Sequence, residues 1–162
     1  MNVTHPKILI VDDNPEIHSD FRKVLGAEIA EPALESLEAS LFGDAPAAKI
    51  SYTLDFASQG AAAVEMVRAA VGKGDPYGLA FVDVRMPPGM DGISTIAAIR
   101  KIDCKLDCVI VTAYSDCTPE SARQKIGITD GLLFISKPFD PQIIRQLARK
   151  MLDHHAQMAA GR

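Results

Sequence analysis

Short apolar runs alternate with amphipathic segments along most of the chain. Four runs are continuously apolar and bounded by polar or turn residues, which is typical of strands covered on both faces, as in parallel sheets. They span residues 8–11, 79–82, 108–111 and 132–135. Residues 50–56 instead alternate apolar and polar positions, and this period of two predicts a less buried strand at an edge of the sheet.

Helical patterns lie between and after these strands. Three segments place apolar residues three or four positions apart and predict helices after the first three strands: Ile17, Phe21, Val24 and Leu25; Val64, Val67 and Val71; Ile93, Ile96 and Ala97. The clearest stripe predicts the last helix: Ile143, Ile144, Leu147, Ala148, Met151 and Leu152. Segment 119–126 is short and poor in apolar residues, which predicts a weakly anchored fourth helix. Capping residues before prolines predict three helix starts: Asn14-Pro15, Thr118-Pro119 and Asp140-Pro141.

The alternation of strands and helices predicts a doubly wound α/β fold with a parallel sheet. One connection, residues 27–49, is longer than usual for such a fold. Within it Leu34, Leu37 and Leu41 recur at helical spacing and predict a short extra helix packed on the domain. An amphipathic docking surface is the alternative interpretation of the same pattern.

Composition narrows the class of protein. With 162 residues, 48% of them apolar and 23% charged, the chain suits one globular domain. No apolar run reaches membrane-spanning length, and the N-terminus has no separate signal-peptide core, so a cytoplasmic location is expected. The three cysteines, Cys104, Cys108 and Cys117, lack a metal-like pairing and suit a reducing compartment. A net charge of −4 without a basic stripe argues against nucleic-acid binding.

Polar residues follow four of the predicted strands: Asp12-Asp13, Asp83, Thr112 and Lys137-Pro138. The carboxyl ends of parallel strands meet at one edge of a sheet, where ligands bind. Converging carboxylates repel one another unless a cation joins them, and a set of oxygen ligands favours Mg²⁺ or Mn²⁺. In such a site Asp83 is a candidate carboxylate nucleophile for phosphoryl transfer. Lys137 would neutralise the transferred group, and Thr112 would donate a hydrogen bond to it.

Four stretches resemble the receiver domains of two-component response regulators: ILIVDDNPEI (8–17), FVDVRMPPGMDG (81–92), VIVTAYS (109–115) and FISKPFD (134–140). The resemblance covers residues 6–153 and leaves 154–162 as a tail or the start of a linker. It implies a flavodoxin-like five-stranded parallel sheet in the order 2-1-3-4-5, with five main helices. The insertion at 27–49 would add the extra helix.

The resemblance also implies roles for individual residues. Asp83 is then the phosphoacceptor, and Lys137, Thr112 and Ala113 contact or admit the phosphoryl group. The implied metal ligands are Asp12, acting largely through water, Asp13, Asp83 and the backbone carbonyl of Arg85. Thr112 and Phe134 form the implied switch, and Lys137-Pro138 is a candidate cis peptide. Arg85 and Tyr114 either tune hydrolysis of the phosphoryl group or are solvated side chains at the rim. His18 is expected on the solvent side of the first helix.

The implied activity is that of a phospho-switch rather than a turnover enzyme. Its expected partners are a histidine kinase or histidine phosphotransfer protein and a downstream effector or linked output domain. A homodimer is also compatible, whereas nucleic acid and membrane are not expected partners. The chain is compatible both with a stand-alone receiver and with a module of a longer protein.

Two departures and one competing function remain. The Met86-Pro87-Pro88-Gly89 loop has one more residue than is usual in the family and should alter the wall of the site while sparing the metal ligands. The 27–49 insertion affects inferences about partner surfaces, not the chemistry. An aspartate-nucleophile phosphohydrolase is the competing enzyme class, but it needs a second acid two residues after the nucleophile, where this chain has Arg85.

Overall fold

Five strands alternate with five helices in the computed structural model, which describes residues 6–26, 52–113, 119–127 and 132–160. The strands are β1 (Lys7–Val11), β2 (Thr53–Ala57), β3 (Leu79–Asp83), β4 (Asp107–Thr112) and β5 (Leu132–Ser136). The helices are α1 (Pro15–Leu25), α2 (Gly60–Gly72), α3 (Gly92–Ile102), α4 (Pro119–Ile126) and α5 (Pro141–Ala160). The predicted extra helix within 27–49, the residues before Tyr52 of the predicted second strand, Tyr114 and Cys117 lie outside the described residues.

The strands form one parallel sheet in the order β2-β1-β3-β4-β5. This confirms the doubly wound α/β class, the strand order and the edge position of β2. Val11 at the end of β1 pairs with Ala57 and Val82, and Thr112 at the end of β4 pairs with Ser136. Because the pairs are in parallel register, all five strands present their carboxyl ends at the same edge.

Both faces of the sheet are covered, as the continuous apolar runs predict. Every residue of β3 is buried, and its side chains divide between two cores. Phe81 packs on the α1 and α5 side, where its ring centroid lies 4.9 Å from that of Phe21. Ala80 and Val82 belong to the core on the α2, α3 and α4 side. Among the described side chains of α4, Ala122 is fully buried and Ile126 packs partly against this core, in line with the predicted shortage of apolar anchors.

Two of the three predicted helix caps fall on described residues and are confirmed. The side chain of Asn14 accepts a hydrogen bond from the Glu16 backbone N–H at 2.9 Å, at the start of α1. Asp140 accepts from the backbone N–H of Gln142 at 2.9 Å in the same way, before α5. The third capping residue, Thr118, is not among the described residues. None of the helices in the described ranges is both long enough and apolar enough to cross a bilayer.

Three predictions about helix faces were wrong. The buried face of α2 is formed by the small residues Gly60, Ala63 and Ala70 together with Val67, so Val71 lies to one side and is 40% exposed. Ile143 is 46% exposed, because neighbouring helical residues point about 100° apart and Ile144 occupies the core side. His18 is buried rather than solvent-facing, since its ring packs 5.1 Å from Phe56 on the edge strand.

Candidate functional site

Three carboxylates meet at the carboxyl edge of the sheet. Asp12 follows β1 directly, and its backbone N–H donates to the Ala57 carbonyl at 3.0 Å, which extends the pairing with β2. Asp83 is the last residue of the neighbouring β3. One oxygen from each of Asp12, Asp13 and Asp83 lies within 4.8 Å of the others. Asp12 and Asp83 are only 2% and 6% exposed, whereas Asp13 is open to solvent. The predicted convergence of these three residues is therefore observed.

Lys137, the residue directly after β5, brings a positive charge into this cluster. Its Nζ lies 2.8 Å from Asp12 Oδ2 and 3.4 Å from Asp83 Oδ1. Its backbone N–H donates to the Thr112 carbonyl at 2.8 Å, which ties the end of β5 to the end of β4. The Lys137–Pro138 peptide bond is cis, the geometry that the resemblance implied.

Asp12 is held from two sides. Its Oδ1 accepts a hydrogen bond from the Asn14 backbone N–H at 2.9 Å, while its Oδ2 accepts from Lys137. Charge-assisted hydrogen bonds of this kind fix a carboxylate in place. Sequence reasoning identified Asp12 and Lys137 separately, but the direct contact between them depends on side-chain geometry and was not predicted.

Burial raises the pKa of Asp83 to about 6, and the Asp12 charge adds to the effect, while Lys137 opposes it. Burial alone would lower the pKa of Lys137, but its hydrogen bond to Asp12 and the charges of Asp12 and Asp83 outweigh burial and leave it raised. In the described part of the site the Lys137 ammonium faces Asp12 and Asp83, with Asp13 close by, so these carboxylates carry more charge than Lys137 neutralises. A divalent cation bound by carboxylate oxygens would relieve this imbalance, and the three grouped oxygens are of the type that Mg²⁺ prefers.

This imbalance predicts a pH dependence of stability in cation-free buffer. A carboxyl with a raised folded-state pKa binds its proton more tightly when folded, so ionisation destabilises the fold. The free energy of unfolding should fall by roughly 2–3 kcal/mol as the pH rises from about 4 to about 6. Urea denaturation across this range measures it. Added Mg²⁺ should flatten the dependence, and the Asp83→Asn variant should lack it. An equal slope in that variant would assign the effect to other groups.

The remaining predicted site residues are placed as follows. Thr112 ends β4, and its hydroxyl donates to the carbonyl of Ala113 at 2.8 Å. Phe134 pairs with Ile110 in the sheet and packs, half-buried, against the core on the α4 side. The Arg85 side chain is exposed two residues after Asp83. Tyr114 is not among the described residues, so its proposed tuning role stays a prediction.

Gly92 supports the site in a way that sequence reasoning missed. Its backbone N–H donates to the Val84 carbonyl at 2.8 Å, and its α-carbon sits directly against the Asp83 main chain. A Cβ there would overlap the Asp83 carbonyl oxygen and lie 2.8 Å from the Val84 Cα. The glycine that ends the stretch 81–92, just before a predicted helix, was the available signal.

The Pro87-Pro88 loop is held by the turn before α2. Its Pro87–Pro88 bond is cis, and the Gln59 side-chain amide donates to the Pro87 carbonyl at 3.4 Å. This contact links the longer loop that follows Asp83 to the start of α2, and the sequence pattern did not reveal Gln59.

A protein family model matches well over half of the chain. Residues 45–149 match the family model of the response regulator receiver domain. This range contains Asp83, Thr112 and Lys137 but begins after Asp12 and Asp13. The parallel pairing of β1 between β2 and β3 brings those two residues to the same site.

Relatives among characterised proteins agree with this match. The chain is 33% identical over 103 residues to the transcriptional regulatory protein ZraR of Escherichia coli, which is 64% of this chain and 21% of ZraR. It is 32% identical over 74 residues to sporulation initiation phosphotransferase F of Bacillus subtilis, covering 46% of this chain and 56% of that protein. The chain thus spans only about a fifth of the length of ZraR.

The two solved structures described next share the fold of this chain. The CheY-like response regulator receiver domain from Methanospirillum hungatei aligns over 96% of this chain and 99% of its own, with a TM-score of 0.67 and 19% identity. The N-terminal domain of a three-domain response regulator/sensory box/GGDEF protein from Carboxydothermus hydrogenoformans gives a TM-score of 0.64 at 24% identity, over 94% and 98% of the two chains. At these identities the likeness concerns the fold alone.

Proposed function

Because the chain belongs to the response regulator receiver domain family, we propose that Asp83 accepts a phosphoryl group from a phosphohistidine. The donor would be a histidine kinase or a histidine phosphotransfer protein. The observation that carries this proposal is the position of Asp83. Its carboxylate lies at a strand end, next to Asp12 and Asp13, with the Lys137 ammonium 3.4 Å away. A nucleophile, a cation and further metal-ligand oxygens are thereby collected at one point.

The proposed transfer is a displacement at phosphorus. A carboxylate oxygen of Asp83 forms the new P–O bond while the P–N bond to the donor imidazole breaks, and the imidazole keeps the electron pair and takes a proton. Lys137 neutralises charge on the phosphoryl oxygens, which is the main requirement of this chemistry. The Thr112 hydroxyl donates a hydrogen bond to the Ala113 carbonyl in this structure. During the transfer it would donate to a phosphoryl oxygen instead. The small side chain of Ala113 leaves room for this exchange.

We propose Mg²⁺, or Mn²⁺, as the cofactor. Asp12, Asp13, Asp83 and the Arg85 carbonyl would hold it, with Asp12 acting largely through water, since both of its oxygens already accept hydrogen bonds. When bound, the ion would supply positive charge for phosphoryl oxygens and lower the repulsion from Asp12, which adds to the effect of burial in raising the pKa of Asp83. The grouping of one oxygen from each aspartate within 4.8 Å supports this choice.

Receiver domains are phospho-switches, and we propose that the switch here runs through Thr112 and Phe134. Drawing the Thr112 hydroxyl towards the phosphate would vacate space near β5, which Phe134 would fill by turning inwards. Among the described side chains of α4, Ala122 is buried in the core and Ile126 is partly buried there, and we propose that small changes of this kind shift the helix. Effector affinity would then depend on phosphorylation.

We assign residues 6–153 to the receiver domain. We propose that it acts in the cytoplasm and controls a downstream target. Its target would be a separate effector or an output domain in the same chain, and a homodimer is compatible. The helix α5 extends to Ala160, beyond the predicted boundary, which suits a helical linker. The segment that matches ZraR makes up only 21% of that protein, which supports the option of an output domain in a longer chain.

Phosphorylation of the purified protein tests the proposal. Incubation with acetyl phosphate and Mg²⁺ should add the mass of one phosphoryl group, measured on the intact protein. Omitting Mg²⁺ or adding a chelator should remove most of the gain. Hydroxylamine should release it, because an acyl phosphate is cleaved by this nucleophile whereas a phosphoserine is not. A gain of equal size in chelator would contradict the metal requirement.

A further inference from the structure

A groove lies among three helices, and no residue of the carboxylate cluster is among its described lining residues. It occupies about 640 Å³ between Val64 and Arg68 of α2, Ala97 and Lys101 of α3, and Lys125 of α4. We refer to it as the α2–α3–α4 groove. Its lining residues belong to helices on one face of the sheet, and none of them takes part in the proposed phosphoryl chemistry.

The floor of the α2–α3–α4 groove is apolar. Ala97 and Ala98 lie next to each other and are half-buried, so their short side chains leave a hollow between α2 and α3. Val64 and Ile102 bound this hollow and pack partly against the core. A side chain inserted here would remove apolar surface from water on both partners, which is the main favourable contribution to association.

The rim is basic. Arg68, Lys101 and Lys125 each come from a different helix and are exposed, and no acidic residue is among the described residues that line the groove. This is notable in a chain of net charge −4. Arg68 pairs with Glu65 at 3.5 Å, but both side chains are more than half exposed, and such surface pairs exchange readily. Like charges around a concave apolar floor reinforce one another's field and attract anions.

We propose that the α2–α3–α4 groove binds an acidic amphipathic helix of a partner protein. Leucine-like side chains three and four positions apart would enter the floor, and flanking carboxylates would pair with the basic rim, as in other helix-in-groove complexes. A nucleic acid fits less well, because none of the described residues that line the groove offers an aromatic ring for base stacking. The occupant is therefore defined by charge and apolar pattern together.

A designed peptide tests this surface on the full chain. The probe is a fluorescent amphipathic peptide with leucines on one face and glutamates flanking them. One matched peptide carries lysine for each glutamate, and another carries serine for each leucine. Anisotropy titrations should show binding of the leucine–glutamate peptide and no binding of the lysine or serine peptide. Its affinity should fall as salt rises from about 0.01 M to about 0.15 M, because the Debye length shortens from about 30 Å to about 8 Å.

Protein variants locate the binding. Exchanging Arg68 and Lys125 for glutamate should lower the affinity for the leucine–glutamate peptide by about tenfold or more. Lys105 and Lys150 are exposed cations outside the groove. Exchanging both for glutamate should leave the affinity for the peptide within about twofold of the wild-type value. Ala98→Phe should also weaken binding by filling the floor. All of these positions except the half-buried Ala98 are exposed, and thermal unfolding checks that each variant is folded.

Three results would overturn the proposal. Equal affinity for the Arg68/Lys125 and Lys105/Lys150 variants would place the peptide elsewhere. Equal binding of the serine peptide would reduce the effect to nonspecific charge attraction. Binding of a single-stranded oligonucleotide that the Arg68/Lys125 exchange abolishes, with no peptide binding, would assign the surface to nucleic acid instead.

Discussion

Exchanging Asp83 for asparagine is expected to abolish phosphorylation by acetyl phosphate or a phosphorylated histidine kinase. The amide has almost the same shape as the carboxylate but is far less nucleophilic at oxygen and cannot form an acyl phosphate. Asp12 and Asp13 remain nearby, yet Asp12 is held by Lys137 and Asn14, and Asp13 is open to solvent. The initial rate of mass gain should therefore be at most about one hundredth of the wild-type rate, which corresponds to about 3 kcal/mol in the transfer barrier.

The stability of this variant separates chemistry from folding. Because burial and the Asp12 charge raise the pKa of Asp83 to about 6, its ionised form destabilises the fold at neutral pH. Asparagine removes that charge, so the variant should be at least as stable as the wild type in cation-free buffer at pH 7. Loss of phosphorylation then cannot be attributed to unfolding.

Asp153→Asn provides the matched control. Asp153 is an exposed residue of α5, so the same chemical change there should leave phosphorylation unchanged. Phosphorylation of the Asp83→Asn protein at the wild-type level would show that another residue is the acceptor. Peptide mapping after hydroxylamine cleavage would then identify it.

The central strands could be predicted from sequence because they are buried on both faces. In residues 79–82 each position contacts apolar neighbours whichever way its side chain points, so a continuous run identifies the strand without knowledge of its partners. The convergence of Asp12, Asp83 and Lys137 follows from the same pattern, since parallel strands end at one edge. The strand order itself needed the family resemblance.

Helix faces were less predictable, because the buried face depends on which neighbour packs on it. On α2 the sheet accepts Ala63 and Ala70, small residues that give little signal, and leaves the larger Val71 outside. His18 is buried because α1 lies beside the edge strand that carries Phe56, a contact between segments far apart in the chain. Such choices are made by tertiary packing and cannot be read from periodicity alone.

Substituting alanine for Gly92 is expected to damage both the fold and the phosphoryl site. The three atoms nearest to the added Cβ would all belong to the main chain: the Asp83 carbonyl oxygen, the Asp83 carbonyl carbon at 2.7 Å and the Val84 Cα at 2.8 Å. Main-chain atoms at the end of a central strand cannot relieve this overlap by changing rotamer, as a flexible side chain could. We expect a loss of about 1–3 kcal/mol in the free energy of unfolding, measured by urea denaturation.

The same substitution should slow phosphorylation by more than the loss of stability explains. Relief of the overlap must shift the end of β3, and a displacement of about 1 Å in a reacting group can lower a rate by about a hundredfold. Gly72→Ala is the matched control, because a Cβ at Gly72, the last residue of α2, meets nothing within 4 Å. That variant should be as stable as the wild type or slightly more so, with a normal rate. A folded Gly92→Ala protein that accepts phosphate at the wild-type rate would show that this contact does not position Asp83.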